Sequence, residues 1–123
     1  MKLRIKGNSI RMRLTRSEID YFRNTGSIEE KTEFGNSLLS YALIKVADIK
    51  HLSATFKENK IFLNLPESLA EQWTETELTG IEHALDIGNG KKLFLLLEKD
   101  FKCMDQVAED QHDNYENPLR IKK

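Results

Sequence analysis

Hydrophobic and polar positions alternate through the first fourteen residues. Leu3, Ile5, Ile10, Met12 and Leu14 fall on one parity; Lys2, Arg4, Lys6, Arg11 and Arg13 fall on the other. The alternation breaks at Gly7-Asn8-Ser9, residue types that tolerate the positive φ of a tight turn. A turn at Gly7-Asn8 pairs Ile5 with Ile10, and one at Asn8-Ser9 pairs Ile5 with Met12. Both keep apolar opposite apolar, so a hairpin is expected in either register. After Leu14 the period changes. Thr15-Arg16-Ser17-Glu18 reads as a capping box that opens a short helix, and Asn24-Thr25-Gly26 closes it. Ile28 to Phe34 and Leu38 to Val46 then read as two strands about Gly35-Asn36.

The same order recurs. Ala54, Phe56, Ile61, Leu63 and Leu65 line one face of a hairpin about Glu58-Asn59. Pro66 to Trp73 forms a short helix, with proline near its first turn, where a missing N–H does no harm. Ile81 to Ile87 and Leu93 to Leu97 form the last hairpin about Gly88-Asn89-Gly90. Aligning Ile5–Phe22 with Phe56–Trp73, and Ser27–Lys45 with Gly80–Glu98, yields 10 identities in 37 positions. About two are expected from background composition. Self-similarity of this kind points to repeated architecture. The expectation is an antiparallel α+β domain over residues 1–101, with two duplicated ββαββ halves, about 1–48 and 51–101, related by a pseudo-twofold. Its eight strands would form one bent sheet or a closed barrel. Residues 102–123 read as an acidic tail carrying Asp105, Glu109, Asp110, Asp113 and Glu116.

Composition narrows the class of protein. A chain of 123 residues can bury a core without metal or disulfides, and a lone Cys103 forms no internal bridge. The opening residues lack an apolar run for a signal peptide, and Leu93 to Leu97 is far short of a membrane span. A cytoplasmic location, with no membrane partner, is expected. The 19 basic and 20 acidic residues leave a net charge of -1, which argues against a generic nucleic-acid or lipid binder.

LRIKGNSIRMRLTRSE at the start and EKDFKC at 98–103 resemble a small uncharacterised bacterial family of about this length. So does a closing stretch with ED and Asn-Pro. The resemblance spans most of the chain and implies a single-domain bacterial protein, with no activity, cofactor or catalytic residue attached.

The local chemistry is concentrated in the first hairpin. Lys2, Arg4, Lys6, Arg11 and Arg13 place five cations and no acid within thirteen residues. In either register arginine faces arginine or lysine across the strands, which costs up to about 1 kcal/mol per pair. One reading is a solvated face neutralised by Glu29 and Glu33 of the third strand. The other is a site for phosphate, a nucleotide, another polyanion or an acidic protein surface, since guanidinium forks bind phosphate oxygens bidentately. Arg11 and Arg13 align with Phe62 and Asn64, so the basic face belongs to one half only. The acidic tail could cap or gate it.

Other constellations are weaker. Cys103 and His112, flanked by Asp105, Asp110 and Asp113, fit no standard zinc spacing. His83 shares the parity of Ile81 and Leu85 and is expected in the core; His51 lies near a strand. Trp73, Phe22 and Tyr21 are expected as core residues on helix faces. No phosphate loop, nucleophile elbow or metalloprotease motif occurs. Charged faces on eight strands are similar in architecture to the tunnel fold of triphosphate-processing enzymes, but their opening Glu-X-Glu-X-Lys strand is missing. The expected protein is therefore a non-catalytic binder of an anionic small molecule or acidic partner, without cofactor. A metal-dependent phosphate-ester hydrolase using Glu29, Glu33, Glu82 and Asp86 inside a barrel is the enzyme alternative. A module that homodimerises through strand edges is the structural one.

Overall fold

The computed structural model describes residues 1–101; Cys103, His112 and the acidic tail expected over 102–123 lie outside the described residues. The first half runs β1 (Lys2–Lys6), β2 (Ser9–Leu14), α1 (Arg16–Thr25), β3 (Ser27–Glu33) and β4 (Leu38–Val46). The second runs β5 (Ser53–Lys57), β6 (Lys60–Pro66), α2 (Glu67–Glu75), β7 (Gly80–Gly88) and β8 (Lys91–Lys99). Local chemistry explains the boundaries. The Thr15 side chain accepts from the Glu18 amide while the Glu18 carboxylate accepts from the Thr15 amide, so α1 starts on a complete capping box. Gly26 ends it at φ 83°, a left-handed conformation that costs glycine nothing.

The strands form two four-stranded sheets rather than the single bent sheet or closed barrel expected from alternation. One sheet has the order β1-β2-β8-β7, the other β3-β4-β6-β5. Each therefore takes one hairpin from each half, and the seam between the two hairpins is parallel: β2 beside β8, and β4 beside β6. The helices make this topology. α1 carries the chain from the first sheet to the second, and α2 carries it back. The two seams and the hairpins beside them correspond in register: across the seams Ser9 pairs Phe94 as Lys60 pairs Ser40, and within the hairpins Gly80 pairs Glu98 as Ser27 pairs Ile44.

One register differs from the sequence alignment. A bulge between Asp86 and Gly88 inserts a residue before β8. Leu43 therefore corresponds to Leu97, not to its aligned identity Leu96; Leu43 and Leu97 are both fully buried.

One core joins both sheets and both helices through Met12, Leu14, Leu43, Leu63, Leu65, Leu95 and Leu97. Phe22 and Trp73, equivalent positions in the two halves, meet edge to face with ring centres 6.5 Å apart. Their contact closes the core between the helices, with the indole N–H donating to the Thr79 carbonyl at 3.4 Å. Tyr21 is not part of it. Its side chain is 56% exposed, because the buried stripe of α1 runs through Ile19 and Phe22. His83 does lie on the inner-face parity, half-buried, and stacks in parallel on His51 with ring centres 4.6 Å apart.

The Met1 amino group is drawn into the structure. It donates to the carboxylates of Glu18 and, at 2.7 Å, Glu30, and the Met1 carbonyl accepts from the Tyr41 hydroxyl at 3.3 Å. Burial disfavours the ammonium, but the two carboxylates outweigh it and hold its pKa above the usual 8.0. The Glu18 carboxyl is likewise held low, its hydrogen bonds to this amine and to the Thr15 amide outweighing the cost of burial.

Candidate functional site

The first hairpin turns at Gly7-Asn8, which puts Arg4 directly opposite Arg11 and Lys2 opposite Arg13. Leu3, Ile10 and Met12 point to the core, so Lys2, Arg4, Lys6, Arg11 and Arg13 all occupy the outer face of the first sheet. That face is an open surface, since the sheet forms no closed barrel.

Three transverse rows describe it, each read from β1 through β2 and β8 to β7. The first is Lys2, Arg13, Glu98, Gly80; the second Arg4, Arg11, Leu96, Glu82; the third Lys6, Ser9, Phe94, Ala84. Glu98 resolves the repulsion between the arginines. One of its carboxylate oxygens accepts from Arg11 Nε at 2.5 Å and from Arg13 Nε at 2.6 Å. Burial pushes the Glu98 carboxyl up, but the hydrogen bonds from Arg13 and Arg11 outweigh it and hold its pKa below the usual carboxylate value.

The expected neutralisers, Glu29 and Glu33, stand elsewhere. They belong to β3, in the other sheet, where Glu29 accepts from Lys60 Nζ at 2.8 Å. The reason is topological: β2 leads into a helix and not into an adjacent strand, so its second neighbour is β8. Alternation places Glu98 on an outer face, but it cannot place it beside Arg11, 87 residues away.

Lys2 reaches Asp100 at 3.4 Å, whereas Arg4 and Lys6 make no ion pair among the described residues. Three cations and two clamped arginines thus face one shared carboxylate and Asp100. The corresponding surface of the second sheet is different. Phe62 and Asn64 replace Arg11 and Arg13; Lys60 lies over the Phe62 ring, 4.9 Å from its centre, and Asn64 donates to Ser53 and Thr55.

The carboxylates proposed for a metal are not brought together. Glu82 and Asp86 are on the outer face of the first sheet, Glu29 and Glu33 on that of the second, with the core between them. Among the described residues no group of three metal-ligating side chains converges. A cleft of about 1160 Å³ runs between the start of α1 and the residues after α2, past Thr15, Thr76 and Lys99 to Phe101, where the described chain ends.

A family model spans residues 1–119, which takes in both sheets, both helices and the basic hairpin. The chain belongs to a family of unknown function, DUF7009. No curated protein and no solved structure matches it. Membership in DUF7009 bears out the resemblance to a small uncharacterised family and brings no activity with it. Among the described residues, no helix is long and apolar enough to cross a membrane.

Proposed function

We propose that this protein is a non-catalytic, cytoplasmic anion-binding protein whose site is the outer face of β1 and β2, and that its two halves descend from one duplicated ββαββ unit. The observation that carries the reading is the charge imbalance of the β1–β2 part of this face, where five cations are set against Glu98 and Asp100 while Glu82 and Asp86 lie apart on β7. Glu98 occupies only the Nε of each arginine among the described contacts, so their terminal nitrogens retain donors for phosphate or carboxylate oxygens. Arg4 and Lys6 add charge with no ion-pair partner to displace among the described residues. Keeping like charges opposed across a hairpin costs stability, and a binding role accounts for that cost at the two facing pairs of the first hairpin, Lys2 with Arg13 and Arg4 with Arg11.

The test is binding of inorganic polyphosphate to the full chain, followed by thermal shift and by titration at two salt concentrations. Binding should raise the melting temperature and weaken steeply with salt. Reversing two exposed charges together, Arg4→Glu with Lys6→Glu, should abolish that shift while leaving the unliganded melting temperature nearly unchanged. Equal binding by this variant would show that the face is not the site.

A further inference from the structure

The outer face of the first sheet is not uniformly basic, and its gradient says what kind of anion fits. Its charge runs across the strands, from Lys2, Arg4 and Lys6 on the β1 edge to Glu82 on the β7 edge, with Asp86 set opposite Lys92 of β8 at the end of the sheet. Between them lies an apolar strip on β8. Phe94 is 55% exposed there, and its neighbours in the row are Ser9 and Ala84, small side chains that leave the ring uncovered. A shallow concavity lined by Phe94, Ser9, Ala84, Leu96 and Glu82 adjoins the cationic one lined by Lys2, Arg4 and Arg13. Arg11 borders both.

A polyanion without rings would engage only the basic hairpin and leave the apolar strip on β8 unused. A ligand with phosphate at one end and a planar, hydrogen-bonding ring at the other would match every band. We infer that the face binds nucleotide units. The base stacks on Phe94, the phosphate lies among Arg4, Lys6 and Arg11, and Glu82 accepts from an exocyclic amino or ring N–H group of the base. The physics is that of aromatic platforms on open sheets, where stacking is tolerant of sequence and cations hold the backbone. The near-zero net charge of the chain does not oppose this, because only the local face is engaged and screening confines its field to about 8–10 Å. The inference rests on the anion-binding reading and names its ligand class. Free nucleotides and single-stranded nucleic acid share that chemistry.

The experiment compares three probes on the full chain: a mononucleotide, a single-stranded oligonucleotide of mixed sequence, and inorganic polyphosphate of similar charge. Phe94→Ala removes the platform from an exposed position, so its melting temperature should stay close to that of the parent. It should weaken oligonucleotide binding by about tenfold, as loss of one stacked base does, and leave polyphosphate binding unchanged. Phe94→Trp should restore the lost affinity, whereas Phe94→Leu should not. Affinity that grows with oligonucleotide length would identify single strands as the source, and affinity independent of length would identify free nucleotides. If polyphosphate binds and Phe94→Ala affects no probe, the stacking inference is overturned while the anion-binding reading stands. If no probe binds, the anion-binding reading itself fails.

Discussion

Glu98 concentrates two opposed effects in one side chain. It holds Arg11 and Arg13 at 2.5 and 2.6 Å, and by the same contacts its negative charge lowers the positive potential that a bound anion would meet. Glu98→Gln should therefore lower stability at neutral pH by about 1–2 kcal/mol, a charged pair of hydrogen bonds discounted for partial exposure, and raise affinity for polyphosphate. Opposite signs in the two measurements are the signature of a charge clamp inside a site; a purely structural clamp would change stability alone. The pH dependence has a definite direction. The folded Glu98 pKa lies below its usual 4.5, so its contribution is complete above that value and is lost as pH falls through the depressed pKa. Wild type and Glu98→Gln should converge in thermal stability over that acidic window. The Met1 amine works at the other end of the scale. Its raised pKa means its contribution is complete below about pH 8 and is lost as pH rises through the folded value. Acetylating it should lower the melting temperature at pH 7 and flatten the decline above pH 8.

At the scale of elements, the hairpins and helices were legible because their signals are local. Parity marks Leu3, Ile5, Ile10 and Met12 as one face whatever their partners, and Thr15 with Glu18 marks the start of a helix without reference to the rest of the chain. Glu18 also serves a second element by holding the Met1 amine. Thr15→Ala should cost about 1 kcal/mol, the usual value of an N-cap, and Glu18→Ala distinctly more; equal losses in chemical denaturation would show that the amine contact contributes nothing. Pairing between distant elements was not legible. A parallel seam between strands more than eighty residues apart leaves no turn to read, and parity names faces without naming neighbours. Glu29 and Glu33 thus looked like the natural counterions of the first hairpin, although the neighbouring strand is β8 and the acid is Glu98. The extra residue at the Asp86–Gly88 bulge has the same character, since a one-residue slip is invisible until Leu97 is seen in the core beside Leu95.

At the scale of the molecule, the repeat in the sequence is not a pair of independent halves. Every sheet draws one hairpin from each, and both seams cross the boundary between them. Cutting the connection near Ile49 should therefore yield two fragments that are each unfolded alone. Mixing them should restore the circular-dichroism spectrum of the intact chain, and unfolding of the intact chain should be a single transition by fluorescence of Trp73 and by far-ultraviolet signal. A fragment that folded as a monomer by itself would refute the interleaved arrangement.

The β2–β8 seam also orders events during synthesis. Strands β3 to β6 form the second sheet from residues 27–66, so all of its partners have been made midway through the chain. The first sheet waits for Lys91–Lys99, the last strand described, even though its β1–β2 hairpin is made before any strand of the second sheet. Until then Arg11 and Arg13 have no carboxylate between them, and the β2 edge is unpaired. Long-range pairing of this kind is slow and exposes intermediates to aggregation. The surface we assign to nucleotide units therefore comes into being only once β8 has been made, and a ribosome that stalls before Glu98 leaves behind a cationic hairpin with no sheet to belong to.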